Sequence, residues 1–371
     1  MKALHVTTHL NIGGVSKYVV SLAQALEKKG VECIVASGGG TMMKELERSG
    51  IRHIAVDLKT KFEFGPKVLR AIPAIAGIIR EEDIDIVHAH TRVSQVASFF
   101  AARRAKIPYV STCHGFFKKR IGRRLFDFWG KGVIAISPSV RDSLVKDFGV
   151  APERVELIYS GIDIDRSSNV YSGAEIEGLK RVLGIKEGLP LIGTIGRVSP
   201  VKGHEFFVKA IAELRSRGRV VQGVIIGDGP DEDNIKTLAR VLGVNDLLYL
   251  ISARSDTAKY IAIMDIFVFP SVKEGLGLAL LEAMAHAKPC ISSDVGGISD
   301  IVRDGENGIL FPAGDVKKLS DSIGMLLDDH AMGVRIGRAA GETVRGRFSI
   351  ETMADKVRKF YGEMGGLNAV P

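Results

Sequence analysis

Ile266-Phe267-Val268-Phe269-Pro270-Ser271-Val272-Lys273-Glu274-Gly275-Leu276-Gly277-Leu278 runs on to Glu282-Ala283-Met284-Ala285. Four apolar residues without polar alternation suit a strand buried on both faces. Pro270 and the glycines punctuate a turn, and the apolar spacing over Leu276–Ala287 fits a helix against that strand. The unit is therefore strand, turn, helix, and it repeats in both directions. Upstream within the same half, Leu191–Ile195, Val221–Ile226 and Leu247–Ile251 read as strands; downstream, Cys290–Ser293 and Gly308–Phe311 do. The first half shows the same alternation, with strands at Ala3–Val6, Glu32–Ala36, Ile54–Leu58, Ile84–His88, Tyr109–Cys113 and Val133–Ser137. Amphipathic stretches lie between them, at Val15–Lys29, Lys67–Glu82, Val93–Lys106 and Pro138–Phe148. Short Val/Ile-rich runs alternating with helices predict an α/β fold built of parallel sheets. The expected architecture is two doubly wound, Rossmann-like domains facing a cleft, spanning 1–165 and 189–345. A linker is expected at 166–188, where the Ser/Gly-rich stretch 165–178 lacks a period. A last helix within 346–371 could pack on either domain.

Length and composition agree. At roughly 150 residues per domain, 371 residues make two, and the 46% hydrophobic and 25% charged content excludes a disordered or fibrous chain. The longest stretch without Asp, Glu, Lys or Arg is Ala3–Ser16, fourteen residues that include His5 and His9. It is too short and too polar to span a bilayer, and no signal peptide is read. Cys33, Cys113 and Cys290 are odd in number and far apart, which excludes a disulfide framework and fits a reducing cytoplasm. Residues 1–165 hold 25 Lys and Arg against 17 Asp and Glu, whereas 166–371 hold 26 of each, so the whole net charge of +8 lies in the first half. Such a half could meet an anionic substrate, an anionic membrane or nucleic acid.

In open α/β sheets, ligands sit beyond the carboxyl ends of the strands. Four such ends carry chemistry. After the first strand, His9-Leu10-Asn11-Ile12-Gly13-Gly14 places two glycines at a helix start, where backbone N–H groups can approach a phosphate. The spacing matches neither G-x-G-x-x-G nor a P-loop. The segment Gly196–Gly203 sets Arg197 and Lys202 five residues apart in one loop, a planar fork and a point charge that together suit a diphosphate. Glu274 stands in a turn and Glu282 eight residues on, two carboxylates able to accept hydrogen bonds from sugar hydroxyls. The fourth end, Cys113-His114-Gly115, offers an imidazole. His88 and His90 at i, i+2 could ligate zinc, but no third ligand is evident in the sequence, and the triplets Asp83–Asp85 and Asp163–Asp165 read as structural. Between Lys118 and Arg124 fall five cations, Lys118, Lys119, Arg120, Arg123 and Arg124, beside Phe116, Phe117 and Trp129. That mixture suits an anionic membrane interface or RNA, or a helix whose aromatics face the core.

Glu274 and Glu282 form Glu-x7-Glu in a Ser-x-x-Glu-x-x-Gly-Leu…Glu-Ala-Met-Ala frame. Arg197, Lys202, the Gly227-Asp228-Gly229-Pro230 turn and the Gly13-Gly14 loop stand in matching order. The chain resembles the retaining, GT-B-fold glycosyltransferases of family 4 over about residues 3–362. Leu276 stands where the family usually has an aromatic residue. The resemblance implies that Gly14, together with Gly13, and Arg197 and Lys202 hold a nucleotide diphosphate, that Glu282 binds the ribose, and that Glu274 with the N–H groups of Gly277 and Leu278 grips the donor sugar. It places His114 beside that sugar and Gly227 and Arg254 around the base. It implies a nucleotide-diphosphate-sugar donor, with a UDP-sugar favoured, no metal and no other cofactor. The leaving diphosphate itself would take the acceptor's proton. A lipid-linked or lipopolysaccharide-type glycan acceptor, held at Lys118–Arg124, would place a cytoplasmic enzyme on the inner face of the membrane, with no nucleic acid partner. The rival readings are a nucleotide-sugar epimerase of the same fold and a non-catalytic membrane- or RNA-binding protein.

Overall fold

The computed structural model describes residues 1–119, 123, 126–167 and 170–365. The chain divides into two compact units, Met1–Gly161 with Ile350–Pro371, and Ile162–Ser349.

The first unit is a parallel sheet of β1 (Lys2–Val6), β2 (Glu32–Ser37), β3 (Arg52–Ala55), β4 (Ile86–Ala89), β5 (Tyr109–Cys113), β6 (Gly132–Ala135) and β7 (Val155–Leu157), in the order β3-β2-β1-β4-β5-β6-β7. Its central strands are buried throughout, so each needs apolar cover on both faces. One face packs on the helix Gly14–Glu27 and the C-terminal helix Ile350–Gly365, whose Met353, Val357, Phe360 and Tyr361 join that core. Gly132 lets the C-terminal helix sit tightly on β6, since a Cβ there would come 2.6 Å from the Phe360 ring. The other face packs on Pro66–Glu81 and Arg92–Ala105.

The second unit is a parallel sheet of β8 (Leu191–Ile195), β9 (Gln222–Ile226), β10 (Leu248–Ile251), β11 (Ile266–Phe269), β12 (Cys290–Ser293) and β13 (Ile309–Phe311), in the order β10-β9-β8-β11-β12-β13. In both sheets the winding reverses between the first and fourth strands of the unit, β1 with β4 and β8 with β11. Loops leaving those neighbours diverge and leave a crevice.

Three elements differ from expectation. The stretch taken as an aperiodic linker holds a short helix, Ile164–Ser167, and a longer one, Gly173–Leu183. A capping box starts the second: Ser172 accepts from the Glu175 N–H, while Glu175 accepts from that of Ser172. Ser-x-x-Glu was legible in the sequence, but four glycine and serine residues around it masked the apolar period. The third strand comes two residues early, because Ala55 pairs with Ser37 before the chain turns away. β7 was not expected, since three residues are too few for a pattern. One Asp of each triplet bonds to backbone: Asp85 accepts the Lys2 backbone N–H at 2.7 Å, and Asp163 accepts that of Arg166 at 3.0 Å.

Candidate functional site

In the second unit, Ile266 lies opposite Ile192 and Phe267 opposite Gly193, so β8 and β11 end side by side. The β8 loop makes a single turn of 3-10 helix at Pro200–Lys202 and then reverses at Gly203, whose φ is +66°. A Cβ at Gly203 would fall 1.9 Å from the Pro270 carbonyl oxygen, and the Val272 N–H donates to the Val201 carbonyl at 2.8 Å. The two loops therefore touch backbone to backbone, and Lys202 reaches across to pair with Glu274. Its ammonium also lies 5.3 Å from the Phe269 ring centroid, a favourable place for a cation. The Glu274 carboxylate accepts from Ser271 Oγ at 3.4 Å and from the Gly275 N–H at 3.2 Å. Arg197 is exposed, and no ion pair holds it among the described residues. The backbone beneath it is fixed by His204, buried at the start of the next helix, which donates from Nε2 to the Arg197 carbonyl at 3.2 Å. Burial pushes His204 down to about 4, so it stays neutral. Sequence reasoning missed His204, and its only signal was its place directly after Gly203.

Gly277 has φ +102° and leads into the helix Leu278–Ala285, whose first backbone bond runs from the Leu281 N–H to the Gly277 carbonyl. The N–H groups before Leu281 thus lack an intrahelical acceptor and present the positive end of the helix. Glu282, on the same helix, is buried and accepts from Thr257 Oγ1 at 2.8 Å. Thr257 opens the helix that follows the exposed Arg254. Gly227 packs against the β8 loop, where a Cβ would fall 2.0 Å from the Gly196 carbonyl oxygen. The structure thus brings Arg197, Lys202, Glu274, Gly277 and Leu278 onto adjoining loops, with Gly227 on the next and Arg254 and Glu282 behind.

Gly203→Ala is expected to lower turnover more than its stability cost alone would. A left-handed alanine costs about 1–2 kcal/mol, and the overlap with Pro270 must also push the Lys202 and Glu274 loops apart. Tm and kcat measured together check this, and a variant matching wild type in both would contradict the loop contact.

In the first unit, Gly13 is extended (φ 163°) and a Cβ there would have nothing nearer than the Asn11 carbonyl oxygen at 3.9 Å. The fold does not require a glycine, so what the missing side chain leaves clear is the approach to the helix that Gly14 begins. Both glycines are exposed, and no side chain caps that helix.

Beside this loop the ends of β1, β4 and β5 gather histidines. His5 Nδ1 lies 3.0 Å from His90 Nε2, and His90 Nδ1 lies 3.3 Å from His114 Nε2. His88 is held between the Tyr361 hydroxyl at 2.6 Å on Nδ1 and Thr112 Oγ1 at 2.7 Å on Nε2. So His88 and His90 do have a third histidine near them, His5, contrary to expectation. It comes from β1, which pairs with β4 so that His5 lies opposite His88, a contact that spacing along one strand cannot reveal. In the structure His88 contacts hydroxyls through both nitrogens, and His90 contacts the neighbouring histidines through both of its own.

The basic strip is only partly a surface. Arg120 and Arg124 lie outside the described residues. Arg123 is 14% exposed and pairs with Glu63, which also binds Arg92. Lys119 pairs with Asp147 at 2.7 Å, and Lys118 is exposed. Trp129 is 2% exposed, packed against Phe117 and Phe148, so neither it nor Phe117 is an interfacial anchor. The exposed aromatics lie instead on the loop after β3: Phe62 is 76% and Phe64 59% exposed, with Phe126 packed against Phe64. Phe62 and Phe64 line a pocket of about 890 Å³ whose lining also includes Lys61, Lys67, Arg70, Arg92 and Arg123.

Comparison with known proteins gives two family matches. The model described as "Glycosyltransferase Family 4" matches residues 12–166, and that described as "Glycosyl transferases group 1" matches 175–343. The chain is 26% identical to N-acetyl-alpha-D-glucosaminyl L-malate synthase of Bacillus anthracis, over 96% of this chain and 95% of that one. It is 25% identical to the UDP-Gal:alpha-D-GlcNAc-diphosphoundecaprenol alpha-1,3-galactosyltransferase of Escherichia coli, over 80% of each. Among solved structures, Anabaena Alr3699/HepE in complex with UDP-glucose superposes with a TM-score of 0.86 at 22% identity, covering 98% of this chain and all of that one.

Proposed function

The chain belongs to the GT-B glycosyltransferases of family 4, and from that premise we propose that it transfers a sugar from a UDP-sugar to a lipid-linked glycan with retention of configuration and without a metal. The observation that carries this is the cluster on the β8 and β11 loops. Lys202 paired with Glu274, the exposed Arg197 and the helix start at Leu278 present positive charge to a diphosphate and one carboxylate to sugar hydroxyls. Catalysis there is positioning together with stabilisation of the leaving diphosphate, whose oxygens take the acceptor's proton. Gly227 and Arg254 then flank the base, Glu282 the ribose, and Gly13 and Gly14 offer N–H groups to phosphate. His114 meets the transferred sugar. The acceptor belongs to the first unit, and support for a lipid comes from one relative's acceptor as well as from the surface. The named Escherichia coli relative acts on a diphosphoundecaprenol-linked sugar. On this chain, exposed Phe62 and Phe64 stand with Lys61 and Arg70, and with Lys67, which pairs with Asp57, apolar anchors beside cations that suit an anionic membrane. No helix among the described residues is long and apolar enough to cross a membrane; the contact proposed is a peripheral one, at the cytoplasmic face.

The test is a transfer assay with a panel of nucleotide sugars and a lipid-diphosphate acceptor in vesicles, with EDTA present, reading the anomeric configuration of the product. A retained configuration supports the reading, while inversion or dependence on a divalent ion would overturn it. In the same vesicles, with each cation near the surface worth about 1 kcal/mol, wild type should bind anionic lipid at low salt and release at high salt. The double variant Phe62→Ser, Phe64→Ser should bind about tenfold less. Equal binding to neutral vesicles, or none at any salt, removes the membrane part.

A further inference from the structure

We propose that His204 is a positioning residue for Arg197: it holds the peptide unit that follows Arg197 and so aims the guanidinium at the diphosphate. The proposal rests on the reading that Arg197 meets that group. The Arg197–Val198 peptide is tied at both of its polar atoms. Its carbonyl accepts from His204 Nε2 at 3.2 Å, and its N–H, that of Val198, donates to the Asp228 carbonyl at 3.0 Å. Ser199 Oγ also contacts the Arg197 carbonyl, but at 3.5 Å and exposed, the outer limit of a hydrogen bond. Just upstream, the Gly196 N–H donates to the Ile226 carbonyl at 3.0 Å. A peptide unit is planar, so tying both its edges restricts the backbone rotation that sets the direction of the Arg197 side chain.

The donor role of His204 follows from its partner. A carbonyl oxygen only accepts, so Nε2 carries the proton and the neutral ring leaves Nδ1 bare. Nδ1 is sealed from solvent and has no hydrogen-bond partner, in a residue only 2% exposed. Burying an idle polar atom costs stability, and a leucine at this place would avoid that cost. What leucine lacks is the donor, and the carbonyl that takes it belongs to Arg197. The two cations of the loop also differ in how they are held. Lys202 has side-chain contacts of its own: it pairs with Glu274, lies by the Phe269 ring, and its stem runs over Gly196, where a Cβ would stand 3.7 Å from the Lys202 Cδ. Arg197 is exposed, and no ion pair holds it among the described residues. Its aim therefore depends on its backbone, and the buried donor on that backbone is His204. Preorganising a charged donor in this way, through a second side chain locked by packing, is what keeps a binding group within a fraction of an ångström of its working position.

A double-mutant cycle on the full chain tests this, with calorimetric affinity for whichever of UDP, ADP and GDP wild type binds most tightly as the readout and Tm measured alongside. His204→Leu should weaken binding about tenfold, the worth of one misplaced charged donor. In the Arg197→Ala background the same change should weaken it less than about twofold, because there is no guanidinium left to aim. His204→Gln, whose amide can donate where Nε2 did, should recover most of the affinity. A purely structural histidine would lower Tm and affinity by the same factor in both backgrounds, and that result overturns the proposal. Where His204→Leu fails to fold, His204→Gln decides: near-wild-type affinity supports the proposal, and a tenfold loss that persists beside Arg197→Ala overturns it. The outcomes also separate the proposal from the reading beneath it. Arg197→Ala binding as tightly as wild type removes the diphosphate assignment and the proposal with it, whereas a weakened Arg197→Ala with an additive His204→Leu removes the proposal alone.

Discussion

Arg197→Ala and Lys202→Ala are each expected to cut sugar transfer by about 100-fold or more while leaving the fold in place. The charge that develops during transfer falls on the leaving diphosphate, and removing one preorganised donor at such a charge costs on the order of 10² to 10³ in kcat. The fold should tolerate both changes. Arg197 is exposed and unpaired among the described residues, and its loop is held from below by His204 and from the side by Gly227. Lys202 has one ion-pair partner, Glu274, with the two side chains 26% and 14% exposed. The pair is partly buried, so its loss should cost more than the roughly 0–1 kcal/mol of a surface pair, lowering Tm by several degrees without unfolding the chain. When Lys202 is removed, Glu274 keeps Ser271 and the Gly275 N–H. Turnover and thermal unfolding of the two variants decide the matter. Near-wild-type turnover in both would mean that the diphosphate binds elsewhere.

The second unit was legible in the sequence because its chemistry is local. Arg197 and Lys202 share a loop, and Glu274 and Glu282 share one turn and helix, so spacing alone predicts neighbours. The contact between the two loops was not legible, because it depends on β8 and β11 pairing across 74 residues and on Gly203 admitting the Pro270 carbonyl. The first unit was harder to read for the same reason. His5, His90 and His114 come from β1 and from the chain just after β4 and β5, and only the sheet order β1-β4-β5 brings them together. The basic strip misled because composition cannot tell an exposed cation from a paired one. Glu63, sixty residues upstream of Arg123, takes that charge inward, and Trp129 fills the core beside it. The aromatic residues that do face solvent, Phe62 and Phe64, lie in a loop with no periodic pattern to draw notice.

Mild acid is expected to unfold the first unit cooperatively, between about pH 6 and pH 4. His5, His88, His90 and His114 are lowered chiefly by burial, to about 4 for His5 and about 3 for His114, with His88 and His90 well below the usual range. In the unfolded chain each titrates near 6.5. Below that value the unfolded state binds more protons than the folded one, so stability falls as pH falls, until the folded rings themselves take up protons. Each such histidine contributes a slope of about 1.4 kcal/mol per pH unit, and four together about 5. A domain stable by about 5–15 kcal/mol cannot absorb that for more than one to three units. The ion pairs of Glu63 resist acid longer, since its carboxyl is held below the usual range by Arg123 and Arg92 and protonates only further down. In the second unit His204 and His286 are lowered, each to about 4, so its slope from these groups is about half as steep. Trp129 is the only tryptophan in the sequence and is buried in the first unit, so its fluorescence reports that unit alone. Its emission should shift to the red in a single steep transition, and His5→Phe should make the transition shallower by one proton. Emission unchanged down to pH 4 would show that these rings reach solvent and titrate freely in the folded chain.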